Sequence, residues 1–199
     1  MNITRLQISN YKGLREIDIP ISCFTCLIGE NNAGKSSMLQ AVALFLSGSQ
    51  ISRTHYFDAS IGIRIGLTFE DISDSDIERL AEEHRERIRA IITDGRLALV
   101  RVYGIDGKGS LKYRKLHPKD TRFSDEAISE LIKGLKGKTL ADAVINQFPE
   151  LSQSVASSMT QAEVKTLIQQ LANSLPEADK HIVDADLPTG IDKSLAGFL

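Results

Sequence analysis

Three observations in the sequence predict an α/β fold. Much of the first 120 residues alternates strictly between apolar and polar, the period of half-buried strands. A glycine-rich stretch, Gly29-Glu30-Asn31-Asn32-Ala33-Gly34-Lys35-Ser36-Ser37, sits between an apolar run on one side and an apolar helical segment on the other. From Phe123 onward the signals become those of capped helices.

Length and composition set the bounds. A chain of 199 residues holds one domain or one and a fraction, with a sizeable core. With 42% hydrophobic and 25% charged residues it has the make-up of an ordinary globular protein. A net charge of −2 points to neither a polyanion partner nor a membrane surface. No apolar run approaches the roughly 20 residues of a spanning helix, and the N-terminus lacks the apolar region of a signal peptide, so the cytoplasm is the expected location.

Taken in order, Thr4, Leu6 and Ile8 alternate with Arg5, Gln7 and Ser9 as a first strand, and Asn10-Tyr11-Lys12-Gly13-Leu14 follows as a turn. Ile17, Ile19 and Ile21 alternate with Glu16, Asp18 and Pro20 as a second strand, which Pro20 marks as an edge. Phe24 to Ile28 reads as a third, buried strand, and Met38 to Leu46, apolar all round, as a helix sunk in a core that stops at Ser47-Gly48-Ser49. Cys23 and Cys26 form a Cys-x-x-Cys, but three residues apart on a strand they face opposite sides, and no second pair completes a zinc site. Both are expected to be reduced and packed.

Between the third strand and the helix, the loop fits the phosphate-binding pattern G-x-x-x-x-G-K-[ST] at every position. Glycines at each end let the backbone turn tightly and approach an anion, and the N–H groups and dipole of the following helix favour phosphate charge. Lys35 is expected to reach the β/γ-phosphates of a nucleotide and the Ser36 hydroxyl to ligate Mg²⁺.

Residues 50 to 60 lack periodicity and read as a loop. Ile61, Ile63, Ile65, Leu67 and Phe69 then alternate over ten residues with polar or small neighbours, which predicts a half-exposed, antiparallel strand. Glu70 and Asp71 at its end imitate the carboxylates of a Walker B strand, but such a strand is apolar on both faces, so they are expected to be structural. Ser75-Asp76-Ile77-Glu78 is read as a capping box opening one helix with Ile77, Leu80, Ala81, His84, Ile88 and Ile91 along its apolar stripe. His84 is expected as a boundary residue, and His55, His117 and His181 show no metal-ligand spacing.

Arg96 to Tyr103 and Ser110 to Leu116 read as a hairpin with a glycine-rich tip. Lys108, Lys112, Arg114, Lys115, Lys119 and Arg122 make it the most basic neighbourhood, which either contacts a DNA backbone or carries the lysines that edge strands use against aggregation. Helices are expected over Ser124 to Leu135, Thr139 to Gln147, and from the Thr160-Gln161-Ala162-Glu163 capping box to Asn173, with a loop-like stretch from Pro176 to Leu199. His181 to Asp186 has too few apolar residues for a buried Walker B strand. The expected domains are 1–120, around the phosphate loop, and 121–199, a helical segment.

Two strands joined by Asn10-Tyr11-Lys12-Gly13-Leu14, then a strand, then the phosphate loop, resemble the start of the ABC-type ATPase heads of RecF, SMC and OLD-family proteins, within the RecF/SMC-like AAA ATPase superfamily. The Asn31-Asn32-Ala33 centre and the loop from His55 to Asp58 are most similar to OLD-family (overcoming lysogenization defect) ATP-dependent endonucleases. The resemblance covers residues 1 to about 120. It implies a P-loop NTPase fold, the N-lobe of an ABC-type head with an antiparallel β-subdomain followed by a helical segment.

Carried over by position, Gly29, Asn32, Gly34, Lys35, Ser36 and Ser37, with Asn31 and Ala33 between them, would hold ATP, Ser36 would hold Mg²⁺, and Lys12 would lie near the nucleotide. No signature motif, Walker B pair or switch histidine is recognisable, and no TOPRIM nuclease domain fits the remaining length, so no catalytic residue is assigned. The chain is read as the first portion of a longer protein: the ATP-binding lobe of an OLD-like endonuclease, acting on DNA as a homodimer joined through a helical insert. A RecF- or SMC-like ATPase that clamps DNA without cutting it, and a nucleotide-binding regulatory module that never hydrolyses, are the alternatives.

Overall fold

Alternation at the N-terminus builds the first two strands of the computed structural model, which describes residues 1–188 together with 191, 195 and 198. β1 (Asn2–Tyr11) pairs antiparallel with β2 (Leu14–Pro20), Gln7 lying opposite Asp18 and Tyr11 opposite Leu14. Then follow α1 (Lys35–Ser47), β3 (Ile63–Glu70), α2 (Asp74–Glu78), α3 (Glu82–Arg89), β4 (Leu97–Tyr103), β5 (Gly109–Pro118), α4 (Asp125–Ile132), α5 (Gly137–Gln147), α6 (Gln161–Ser174) and β6 (Lys180–Asp186). The sheet runs in the order β2-β1-β3-β4-β5-β6 and is antiparallel from β2 to β5. Pro20, unable to donate to a further strand, lies on the edge strand β2 as expected.

The chain divides into two compact units, Met1–Lys115 with Asp184–Leu199, and Leu116–Val183. The stretch from Asp184 is therefore grouped with the first unit, whereas the sequence reading places it with the helices. In the first unit, Leu6, Ile8, Ile65, Leu67, Leu99 and Tyr103 line one sheet face and share a core with Ala41 and Phe45 of α1 and with Ile77, Leu80 and Ile88 of α2 to α3. Arg101 Nε and the Tyr103 hydroxyl donate to the carbonyls of Phe45 (2.8 Å) and Leu44 (3.3 Å), tying the C-terminal half of α1 to β4. In the second unit, α4, α5 and α6 close over Phe123, Ile128, Leu140, Val144, Phe148, Val164 and Ile168, with the Phe123 and Phe148 rings 5.1 Å apart. Ser124 caps α4, and Thr160 with Glu163 forms the capping box of α6.

Several local expectations are corrected. Phe24 to Ile28 forms no strand: Phe24 is 86% and Ile28 90% exposed. An apolar run becomes a strand only beside a partner for its N–H and C=O groups, and the strand order contains none at that place. For the same reason Cys23 and Cys26 are exposed free thiols, not packed ones. α1 is buried on one side only, through Ala41 and Phe45, while Leu39 is 66% exposed.

β3 is antiparallel as expected, but it is buried on both faces from Ile65 to Phe69, not half-exposed. The small Gly66 is covered by Arg114 and Gln7, whose atoms would stand 3.5 Å from a Cβ there. The single helix expected after Ser75 is two. Ser73 is the N-cap of α2, with Asp76 completing the box, and the chain breaks at Ala81, where Arg85 Nε and Nη2 donate to the carbonyls of Leu80 (3.0 Å) and Glu78 (2.8 Å). Residues 180 to 186, expected as loop, form β6 at the sheet edge. The rest of that loop-like stretch falls partly outside the described residues, at 189, 190, 192–194, 196, 197 and 199.

Candidate nucleotide-binding site

The turn Asn10 to Leu14 and the loop Gly29 to Ser37 meet at one glycine. Gly34 immediately precedes α1 with φ +87°, a conformation that costs L-residues strain, and a Cβ added there would stand 2.5 Å from Leu14 Cδ2. Leu14 is buried and fixed by its pairing opposite Tyr11. The hairpin thus positions the phosphate loop through packing, and the second glycine of the motif is the residue that permits it.

The helix beyond this contact begins open. Its hydrogen-bond ladder starts with Met38 N–H donating to Gly34 O at 3.0 Å. Gly34 offers no side-chain cap, and the first turn carries no acidic residue. The N–H groups of Lys35, Ser36 and Ser37 therefore have no carbonyl one turn back within the helix, and the positive end of the dipole is not neutralised. Asn32, with φ +66°, and Ala33, whose N–H donates to Glu30 O at 3.2 Å, turn the loop back on itself. Gly29 lies beside Ala33, and Asn31 and Asn32 are exposed at the tip.

Lys35 lies across this turn. Its Nζ donates to the carbonyls of Gly29 and Glu30, both at 2.6 Å. These acceptors are neutral and exposed, so a phosphate oxygen is a stronger partner for the ammonium. Lys12, with φ +51°, gives its N–H to His55 O at 2.7 Å and its Nζ to the Gln40 side chain, one turn beyond Ser36. The structure thus brings Lys12 to α1. A triphosphate fits this donor set: an uncapped helix start, an ammonium held by exposed carbonyls, and the hydroxyls of Ser36, exposed, and Ser37, half-buried. The Ser36 hydroxyl is a hard oxygen donor of the kind Mg²⁺ accepts alongside phosphate and water.

Sequence reasoning missed the residues that hold this arrangement from behind. Asn10, 2% exposed and at φ +62°, donates through Nδ2 to the carbonyls of Asp58 and Ile61, both at 2.8 Å, and accepts from Asp58 N–H at 2.7 Å. It fastens the segment 53–62 against the turn bearing Lys12. Leu14 and Gln40 were equally silent, since a leucine after a turn and a glutamine on a helix carry no signal of their own. Glu70 pairs with Arg96 at 3.5 Å and Asp71 accepts from Asn2 at 3.1 Å. Among the described residues no cluster of His, Cys, Asp or Glu could hold a metal ion.

The basic neighbourhood is internally satisfied to a large extent. Lys112 pairs with Asp186 (2.9 Å), Arg114 with Asp184 (3.3 Å), and Arg122 with Asp120 (2.7 Å) and Glu150 (3.6 Å), while Lys119 donates to Ala178 O. No helix among the described residues is long and apolar enough to cross a membrane.

A phosphate loop opening an uncapped helix in an α/β fold defines the P-loop ATPase class. The model of the AAA ATPase domain matches residues 1–194, and the chain belongs to that family. It is similar to the Old nuclease of Escherichia phage P2, 31% identical over 101 residues that make up 51% of this chain and 17% of that protein. It is also similar to the OLD nuclease of Thermus scotoductus, 41% identical over 44 residues, 22% of this chain and 8% of that one. The chain thus matches less than a fifth of the length of these relatives.

Among solved structures, an SMC ATPase studied for ATP-driven dimerization and DNA-stimulated activation is 16% identical, with a TM-score of 0.42 over 98% of this chain and 97% of that one. An SMC head bound to the C-winged helix domain of ScpA is 15% identical, with a TM-score of 0.43 over 95% and 69%.

Proposed function

We propose that this chain is the ATP-binding lobe of an OLD-like, ATP-dependent DNA endonuclease, in which nucleotide binding at Gly29 to Ser37 regulates cleavage by a TOPRIM domain. The observation that carries the nucleotide reading is the uncapped start of α1 behind Gly34, with Lys35 resting on replaceable carbonyl partners. The nuclease reading rests on the similarity to the two OLD nucleases.

Lys35, now on Gly29 O and Glu30 O, would turn to the β/γ-phosphates, the N–H groups of residues 34 to 37 would hold phosphate oxygens, and Ser36 Oγ would help hold Mg²⁺. The bound ion would neutralise phosphate charge as bonds break. Lys12 approaches from the hairpin, Asn31, Asn32 and Ala33 form the rim, and Ser37 Oγ is a further donor. The protein acts on DNA as a homodimer in the cytoplasm, the second unit supplying the dimer contact.

The test is plasmid nicking by the gene product in Mg²⁺, with and without ATP, against Lys35→Ala. Nicking that responds to ATP and loses that response in Lys35→Ala supports this reading. ATP binding without nicking at any metal concentration contradicts it and leaves a RecF- or SMC-like ATPase that holds DNA without cutting it.

A further inference from the structure

The sheet face opposite the core carries a charge arrangement that the nucleotide site does not use. Strand register puts Arg5 and Gln7 of β1, Glu16 and Asp18 of β2, Arg64 of β3, and Lys112 with Arg114 of β5 on that face. Arg5 is taken by Asp18, through Nε at 2.6 Å and Nη2 at 2.7 Å. Arg64, Lys112 and Arg114 are taken by β6: Asp184 receives both arginines, Arg114 Nε at 3.3 Å, and Asp186 receives Lys112 at 2.9 Å. Asp184 and Asp186, two residues apart, lie on one side of their strand. Without them the face holds Arg5, Arg64, Arg96, Lys112 and Arg114 against Glu16, Asp18 and Glu70. With them it is balanced.

We propose that the Asp184 and Asp186 carboxylates of β6 are an acidic mask, and that the sheet face whose cations they neutralise is a docking surface for the phosphate backbone of duplex DNA, with Arg64, Lys112 and Arg114 as the contacting cations. This rests on the reading that the protein acts on DNA. Guanidinium forks accept carboxylate and phosphate oxygens in the same geometry, so Asp184 holds a position that a phosphate fits. β3 and β5 are two strand spacings apart, about 10 Å, so the cations form a patch that a polyanion spans and a single small anion does not. β6 is the last strand of the sheet and lifts without breaking an interior pairing. Ion pairs with exposed partners are individually weak, as with Asp186, 87% exposed. A polyanion gains counterion release at each phosphate it engages.

The experiment is equilibrium binding of a labelled 30-base-pair duplex of arbitrary sequence to the full chain across a salt series. Asp184→Asn with Asp186→Asn raises affinity about tenfold and steepens the log–log salt slope by about 2 to 3, near 0.9 for each cation released. Asp186→Asn alone, at an exposed position that folding does not depend on, gives a smaller gain in the same direction. Adding Arg64→Gln and Arg114→Gln to the double variant removes the gain. Glu78→Gln with Glu82→Gln alters net charge equally, away from this face, and leaves affinity unchanged. An equal gain from that control pair, or no gain from the Asp184 and Asp186 variants, overturns the proposal. Mg-ATP binding measured on the same samples reports on the phosphate loop, so failure of the nucleotide reading shows separately.

Discussion

Leu14 and Gly34 are in contact across the hairpin and the phosphate loop, with 2.5 Å between Leu14 Cδ2 and the position a Cβ on Gly34 would take. Two separate demands therefore fall on Gly34, a left-handed φ of +87° and an absent side chain. Gly34→Ala is predicted to cost about 1–3 kcal/mol and to weaken nucleotide binding. Leu14→Ala in that background relieves the clash but not the backbone strain, so a nucleotide titration of the double variant should show no recovery of binding. Full recovery would mean that φ at residue 34 is unimportant.

Asn10 links the turn bearing Lys12 to the segment that follows α1. Asn10→Ala leaves Asp58 N–H and the carbonyls of Asp58 and Ile61 without their partner. The expected loss is roughly 2 kcal/mol in urea unfolding, with faster amide exchange over residues 58–62. Asn10→Gly keeps the positive φ and should recover little of it, because the hydrogen bonds and not the dihedral carry the effect.

What could be read in the sequence followed from how local its cause was. Strands β1 to β5, the cap at Thr160, the edge position of Pro20 and the phosphate loop were legible because alternation, capping and loop chemistry are written within a few residues. Phe24 to Ile28 was misread because a strand also needs a neighbour, which no local pattern reports. The same holds for the burial of Gly66, supplied by Arg114 from a strand far along the chain, and for β6, held by Arg64, Lys112 and Arg114. At the site, Lys35 and Ser36 were visible as a motif, while Leu14 and Asn10 acquire their roles only through contacts.

Cys23 and Cys26 give a test of the exposed segment. Replacing both by Ser should change stability by no more than about 0.5 kcal/mol, and both thiols should react readily with iodoacetamide in the folded protein. Protection of either thiol, or a loss of the size expected for a buried side chain, would place the segment in a core.

Asp76 governs an acid limb of stability. The N–H and hydroxyl of Ser73, with the Met1 ammonium at 3.3 Å, hold its carboxyl down from 3.8 to about 2. A depressed folded pKa contributes stability that is present above 3.8 and is lost as pH falls toward 2. Asp76→Asn should therefore lower Tm at pH 6, and the gap to wild type should close between pH 3.8 and 2. A gap constant across that range would show that the charge of Asp76 is not what caps α2.

The central claim is that Lys35 gives up its loop carbonyls for the phosphates of a nucleotide, and thermal unfolding with and without Mg-ATP tests it most directly. At a hundredfold excess over Kd, binding stabilises the folded chain by about 2.7 kcal/mol, a rise in Tm of about 5–10 °C for a protein of this size. Lys35→Ala, which removes hydrogen bonds to two exposed carbonyls, should unfold near the wild-type temperature without ligand and show no rise with it. A rise of equal size in wild type and Lys35→Ala would contradict the account.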